Sequence, residues 1–284
     1  MFLGMQYRQM QDGSICINQE SYTKRVLEKF GMLESNKVAT PCERLDNSDS
    51  NDDICVSDNV PYREAVGSLM YLATGTRPDI AYAVSCVSQA LEKPTRKHWI
   101  MVKRIFRYLR GTMQMGLMYR HNEQPGILTA YSDADYAGDV STRRSTSGTV
   151  CVYMGSAVTW SSRRQTSVAL STTEAEFVAA SEATKEVIWL TRLLNEISML
   201  VAIPVLKVDN VSALKLVKNP AFHKHTKHIE VRHYFVREKY EEGQLTLEHI
   251  AGDEQVADIF TKPLMKTKFE FLRPLLGLRC VQQG

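Results

Sequence analysis

No two cysteines in this sequence have the C-x-x-C spacing of a zinc site or redox motif; Cys16, Cys42, Cys55, Cys86, Cys151 and Cys280 stand singly along the chain. They read as reduced intracellular thiols. Also missing is any apolar run long enough to span a bilayer, and Met1 to Tyr7 has neither the basic start nor the apolar stretch of a secretory signal. Neither export nor a membrane partner is expected. An excess of one charge is lacking too: 35 Lys and Arg against 32 Asp and Glu leave +3, too little to imply a nucleic-acid partner by itself. Apolar residues are plentiful. At 44% hydrophobic over 284 residues the chain can bury one sizeable core and has room for a second, smaller unit.

Composition shifts mark the boundaries. From Glu43 to Asn59 the chain is rich in Asp, Asn and Ser, so burial cannot offset the entropy of ordering it, and residues 43–60 read as a flexible acidic linker. Before it, Phe2 to Ile17 reads as a hairpin turning at Asp12-Gly13, and Ser21 to Phe30 as a helix ended by Gly31. Helical periodicity then covers 63–72, 79–91 and 97–110. The last of these carries Trp99, Val102, Phe106 and Leu109 on one stripe and Lys103, Arg104, Arg107 and Arg110 on the rest of its surface. Either a solvated face or a nucleic-acid backbone contact accounts for the basic residues. After Pro125 the period changes to strands at 127–132, 147–154 and 157–162. A helix over 172–194, a strand over 204–208, helices over 211–217 and 229–241, a strand over 245–250 and a last helix from Asp253 to just before Pro263 complete the pattern. Three antiparallel strands followed by alternating elements give an α/β fold, a mixed five-stranded sheet flanked by helices.

Asp133, Glu176, Asp209 and Asp258 all fall at strand ends or near helix starts in this reading. Asp133 ends ILTAYSD and Asp209 ends PVLKVD, so both project beyond their strands. Phosphodiester hydrolysis by two divalent ions needs hard oxygen ligands that hold the ions about 3.5 to 4 Å apart. Repulsion among such carboxylates is relieved by the ions themselves, so an acidic cluster without an equal cluster of bases predicts two Mg²⁺ ions, or Mn²⁺. A lone Asp after a strand more commonly forms a turn or caps a helix, so the argument rests on the set of four. Ser171-Thr172-Thr173-Glu174 fits an S-x-x-E capping box, which assigns Glu174 to the helix start and leaves Glu176 for a metal. Asp135 and Asp139 fit the polar turn after the first strand.

These residues sit inside longer motifs: YSDADYAGD from Tyr131, STSGTV from Ser145, STTEAEFVAASEA from Ser171, VDNVSAL from Val208, HTKHIEVRHYFVRE from His225 and ADIFTKPL from Ala257. In that order they resemble the ribonuclease H domain of Ty1/copia-type retrotransposon Pol polyproteins. FLGMQYRQMQDGSICINQESY and YREAVGSLMYLATGTRPDIAYAVS are similar to the end of the same polyprotein's reverse transcriptase, so the resemblance covers essentially the whole chain. It implies a C-terminal fragment of Pol in five parts: 1–42 the end of the palm and thumb, 43–60 the linker, 61–124 a helical thumb- or connection-like segment, 125–264 a ribonuclease H domain, and 265–284 a C-terminal tail. It further implies a ribonuclease H-like fold, with Asp133, Glu176, Asp209 and Asp258 as the catalytic metal ligands. The implied reaction cuts the RNA strand of an RNA·DNA hybrid, leaving a 5′-phosphate and a 3′-hydroxyl. The implied partners are the hybrid and the remainder of the polyprotein, in a cytoplasmic virus-like particle or the nucleus. The polymerase's aromatic-x-Asp-Asp turn is not in this chain, since Asp52-Asp53 lies in the linker without flanking strands; no DNA synthesis is expected. His249 is the nearest counterpart of a mobile histidine that many relatives carry between the last strand and last helix.

A hybrid-specific nuclease reads 2′-hydroxyls through the minor groove with polar side chains and backbone amides. Thr172, Thr173 and Asn210 stand beside the expected ligands and suit that role, although Thr172 and Thr173 fit a helix cap equally well. Arg143, Arg144, Arg163 and Arg164 flank the first hairpins, either holding phosphates or merely solvating the turns. His223, His225, His228 and His233 invite a zinc reading, but they lack the i, i+4 helix pair and a nearby cysteine; with Lys224, Lys227, Arg232 and Arg237 they fit a basic surface better. Two alternatives stand beside the nuclease reading: a catalytically silent relic that only binds hybrid, and an integrase- or transposase-like nuclease on the same fold. The motif order favours ribonuclease H over the latter.

Overall fold

In the computed structural model, which describes residues 3–43, 55–56, 59–121, 127–197, 202–218 and 227–280, the chain opens with the expected hairpin. β1 (Gln6–Gln9) pairs antiparallel with β2 (Ile15–Asn18); Gly13 takes φ +84° at the turn, and Asp12 Oδ1 accepts the Ser14 N–H at 2.9 Å. α1 (Glu20–Lys29), α2 (Tyr62–Gly75), α3 (Ala81–Ser88) and α4 (Arg96–Gly111) follow. α4 buries Val102, Ile105, Phe106 and Leu109, and Phe30 stacks on Phe106 with ring centroids 5.1 Å apart. Its basic face is used internally. Arg107 Nε donates to the Asn36 carbonyl at 2.8 Å, Arg104 to Thr40 Oγ1 at 3.0 Å and Arg110 Nε to the Leu33 carbonyl, so these arginines tie down the chain that follows α1. Two of these acceptors are backbone carbonyls and the third is a side-chain hydroxyl, so this face has a structural role, while Lys103 is exposed.

β3 (Met115–Tyr119) then pairs with β2. It was expected to belong to a helical segment over 61–124, but a two-stranded hairpin cannot hide an apolar face alone, and Leu117 supplies the buried contact the hairpin lacks.

The second unit, Arg120–Lys262, is built on five strands. β4 (Thr129–Asp135), β5 (Thr146–Tyr153) and β6 (Ser156–Arg164) run antiparallel, and Met154 and Gly155, both at positive φ, turn the chain between β5 and β6. α5 (Thr172–Ile197) crosses the sheet, and then β7 (Val205–Val208) lies parallel to β4; after α6 (Val211–Lys218) and α7 (Lys227–Glu241), β8 (Thr246–His249) lies parallel to β7. The order is β6-β5-β4-β7-β8, the mixed sheet the sequence pattern predicts. Phe177, Ala180, Ala183 and Val187 of α5 pack on Leu128, Ala130, Cys151 and Leu206. Nearer the start of the helix, Ala175 and Ala179 meet Ala134 and Ala169, small side chains that let helix and sheet approach closely. The helix expected from Asp253 is instead a pair of short 3₁₀ turns, Gly252–Glu254 and Val256–Phe260. Buried Gln255 separates them by donating to the Ser132 carbonyl at 3.0 Å and accepting from the Ala257 N–H at 3.3 Å.

Residues 265–284, expected as a tail, instead supply α8 (Lys266–Leu272) and β9 (Leu278–Cys280) to the first unit, which comprises Met1–Tyr119 and Pro263–Gly284. β9 pairs with β3 to complete an antiparallel sheet in the order β1-β2-β3-β9, and Phe269, Leu272, Leu276 and Leu278 are buried. The apolar spacing of this segment gives it a face that a tail could not hide. Most of the acidic linker, 43–60, lies outside the described residues. None of the six cysteines is in a disulfide, and among the described residues no helix is long and apolar enough to cross a membrane.

A buried ion pair anchors the first unit. Arg77 and Asp79, each 1% exposed, pair through both carboxylate oxygens at 2.9 and 2.8 Å; Arg77 also donates to the Thr112 carbonyl at 3.0 Å, and Tyr108 OH donates to Asp79 Oδ2 at 2.5 Å. Arg77→Met strands Asp79 without its counter-charge and should lower the unfolding free energy by about 3–5 kcal/mol in a urea titration. A loss below about 1 kcal/mol would show that the pair contributes little.

Candidate metal centre

Parallel pairing of β4 with β7 sets the C-terminal ends of these strands side by side, with Ser132 opposite Val208. One residue further on, Asp133 and Asp209 therefore emerge together, as ligand-bearing residues do at the carboxyl ends of parallel strands. Glu176 reaches them from the second turn of α5, where the close alanine packing holds the helix, and its carboxylate accepts a hydrogen bond from the Ala134 backbone. One oxygen from each of Asp133, Glu176 and Asp209 lies within 4.8 Å of the other two. Asp258 joins on the Asp133 side: Lys262 Nζ lies 2.5 Å from Asp258 Oδ1 and 3.4 Å from Asp133 Oδ2, and Thr261 Oγ1 donates to Asp133 Oδ2. All four carboxylates singled out in the sequence are thus brought to one place.

The approach of the Asp258 turn depends on Gly148, directly opposite Asp133 in the β4–β5 register. A Cβ at this position would lie 2.7 Å from Thr261 Cγ2, 2.8 Å from the Ala257 carbonyl and 2.8 Å from Phe260 Cβ. The missing side chain is what lets the 256–261 backbone lie on the strand.

Burial raises all three central carboxyls above their ordinary range. For Asp133 the Asp258 charge adds to burial while Lys262 opposes it; for Glu176 the charges of Asp133 and Asp209 add, pushing it up to about 9; for Asp209 the Asp258 charge adds. Glu176 Oε2 and Asp209 Oδ1 are buried with no hydrogen-bond partner among the described residues. Orphaned carboxylate oxygens cost several kcal/mol in order of magnitude unless a cation meets them. Hard oxygens, clustered, buried and unsatisfied, are the donor set of Mg²⁺ or Mn²⁺, and the residues present fit such ions.

The remaining expected residues fall around this cluster. Ser171 caps α5, its Oγ accepting the Glu174 N–H at 3.1 Å, and Glu174 Oε2 accepts the Leu170 N–H at 2.7 Å; the cap belongs to these two and not to Thr172 or Thr173. Thr172 is exposed and Thr173 half-buried on the first turn of α5. Asn210 Oδ1 accepts the Ala213 N–H at 2.9 Å and so caps α6. Arg143, exposed at φ +56°, and half-buried Arg144 lie in the β4–β5 turn; Asp139 shapes that turn by accepting from the Ser141 and Thr142 N–H groups, and pairs with Arg164. Asp135, expected in the turn, is instead the last residue of β4, paired with Thr146, whose N–H its side chain accepts. His249 ends β8, and its Nε2 lies 3.1 Å from the Asp209 carbonyl, which accepts. His223 and His225 lie outside the described residues, and His228 and His233 outside the described side chains. Gly148, Gln255, Thr261 and Lys262 were not singled out from the sequence. Only Lys262 carried a legible signal, an Asp–Lys pair four residues apart in ADIFTKPL.

A five-stranded mixed sheet in this order, crossed by one long helix and carrying carboxylates at the ends of its central strands, is the ribonuclease H-like fold. No protein-family model matches the chain. It is 42% identical, over 97% of its length, to the retrovirus-related Pol polyprotein from transposon TNT 1-94 of Nicotiana tabacum, of which it covers 21%. It is 37% identical, over 98% of its length, to the corresponding polyprotein from transposon RE2 of Arabidopsis thaliana, of which it covers 19%. The chain belongs to the Ty1/copia-type retrotransposon Pol polyprotein family and spans about a fifth of the length of these curated relatives. Among solved structures, LC11-RNase H1, isolated from compost by a metagenomic approach, covers 48% of the chain at 15% identity with a TM-score of 0.39; the fold assignment rests on the strand order and not on this likeness.

Gly148→Ala should push the Asp258 turn away from Asp133, lowering stability by about 1–3 kcal/mol in chemical denaturation and weakening Mn²⁺ binding. An unchanged midpoint with unchanged Mn²⁺ affinity would refute the close-approach role. The raised Glu176 carboxyl gives a second expectation. Between the ordinary value of 4.5 and about 9 the native state keeps a proton that the unfolded chain has lost. This group's contribution to stability is therefore complete below that window and lost as pH rises through it. In EDTA the melting temperature should fall from mildly acidic to mildly alkaline pH, Glu176→Gln should flatten that fall, and Mg²⁺ should stabilise the wild type most at the alkaline end. Identical pH slopes for wild type and Glu176→Gln would contradict the assignment.

Proposed function

We propose that the Arg120–Lys262 unit is a divalent-metal-dependent ribonuclease H that cuts within the RNA strand of an RNA·DNA hybrid during retrotransposon reverse transcription. The observation that carries this reading is the meeting of Asp133, Glu176 and Asp209 oxygens within 4.8 Å, with Asp258 beside them. Family membership supports it. A pair of Mg²⁺ ions held there would supply water activation on one side of the scissile phosphate and stabilise the leaving oxygen on the other.

The chain's own residues do the holding and aiming. Asp133, Glu176, Asp209 and Asp258 offer the hard oxygens, and the β4–β7 pairing and the seat of α5 fix where those oxygens point. Thr172 and Thr173, on the exposed first turn of α5, are positioned to meet a minor groove beside the ligands. Asn210, whose Oδ1 is engaged in its cap, carries an amide N–H₂ of the donor type the same purpose needs. Arg143 and Arg144 project from the turn at the Asp133 end of β4, where a phosphate backbone would pass. His249 adjoins Asp209, its Nε2 lying 3.1 Å from the Asp209 carbonyl. The natural partners on this reading are the hybrid and the rest of the reverse transcriptase polyprotein, in a cytoplasmic virus-like particle or the nucleus.

Labelled RNA·DNA hybrid, RNA duplex and DNA duplex incubated with Mg²⁺ or with EDTA test the proposal. Only the RNA of the hybrid should be cut, only with metal, and Asp133→Asn and Asp209→Asn should reduce cutting to background while keeping the circular-dichroism spectrum of the wild type. Hybrid binding without cutting would indicate a silent relic, DNA cleavage an integrase-like enzyme, and wild-type rates in either variant would remove that residue from the site.

A further inference from the structure

Lys262 places a positive charge inside the carboxylate cluster, and it does so from within the same short turn as one of the acids. Asp258 and Lys262 are four residues apart across the end of the Val256–Phe260 turn, so one local conformation sets the 2.5 Å contact between them. The same ammonium lies 3.4 Å from Asp133, and both carboxylates are 2% exposed. Thr261, on the same turn, donates to Asp133 but is neutral. The opposite side of the cluster has no cation in direct contact among the described residues: Glu176 Oε2 and Asp209 Oδ1 are buried without a hydrogen-bond partner, and Lys262 and His249 act on Asp209 only through their charge. The direct ion pairs thus fall on the Asp133–Asp258 side, and the Glu176–Asp209 side has room for an external cation.

We propose that Lys262 is the resident counter-cation of this centre. It neutralises the Asp133–Asp258 pair when no metal is bound, which keeps the metal-free fold intact, and it competes with divalent ions for those oxygens, which loosens the site's hold on them. The second half of the proposal rests on the metal-site reading given above; the first does not. Lysine suits both tasks, being a compact charge on a flexible stem, and at 38% exposure its ammonium has a path to solvent when an incoming cation displaces it. In this role Lys262 is a positioning residue.

The experiment compares wild type, Lys262→Met, Lys262→Arg and Lys262→Met combined with Asp258→Asn, by thermal unfolding in EDTA and by calorimetric titration with Mn²⁺. Lys262→Met should melt about 5 °C or more below wild type in EDTA. It should also bind Mn²⁺ about tenfold more tightly, because the competing charge is gone. Lys262→Arg should stay near wild type in both measurements. Adding Asp258→Asn removes the uncompensated charge and should recover the melting temperature lost in the single variant. If Lys262→Met fails to fold at all, a folded double variant supports the proposal by the same reasoning. A double variant as unstable as the single one would show that the lysine stem acts by packing, and Mn²⁺ binding no tighter in Lys262→Met would overturn the competition; either result defeats that half of the proposal. Failure of the wild type to take up Mn²⁺ would defeat the metal-site reading instead, while the EDTA comparison would still decide the counter-charge role.

Discussion

Carboxylates crowded into a buried space repel one another, and each loses the hydration that made its charge tolerable in water. Asp133, Glu176 and Asp209 are held within 4.8 Å against both penalties, so the surrounding fold must supply the constraint. It comes from parallel pairing of β4 and β7, from alanine contacts that seat α5 on the sheet, and from a glycine that admits a third element onto the strand opposite Asp133. None of these features is itself chemical. Each converts ordinary packing energy into fixed positions for charges that would otherwise separate.

This division of labour explains which parts were legible in the sequence. Asp209 stands immediately after an apolar strand, Asp133 follows the apolar part of one that runs on to Asp135, and Glu176 follows a recognisable cap, so their type and place could be read from local pattern, as could the antiparallel β4–β6 run. Gly148 could not be read in that way. Its importance lies in a close approach by residues 257–261, more than a hundred positions along the chain, and nothing local to STSGTV announces the contact. The spacing of apolar residues over 253–262 suits a helix, but the tertiary hydrogen bond from Gln255 to Ser132 interrupts it. β3 and β9 leave no local signature for a related reason, since each is a short strand stabilised by partners distant in sequence.

In the first unit the same logic works with opposite charge. The arginines of α4 look from their spacing like a phosphate-binding face, yet Arg104, Arg107 and Arg110 bind oxygens of the 33–40 segment. Arg77, buried with Asp79, Tyr108 and Thr112, is another cation spent on internal order. Besides these, Lys262 lies between two acids, and Arg143 and Arg144 lie in the turn at the same end of β4.

The central claim is that side chains distant along the polymer form a single divalent-cation site. Anomalous diffraction from crystals of the protein soaked in Mn²⁺ tests it most directly. The account predicts manganese peaks bounded by Asp133, Glu176 and Asp209; a map with no peak there, or with manganese bound only elsewhere on the surface, would contradict it.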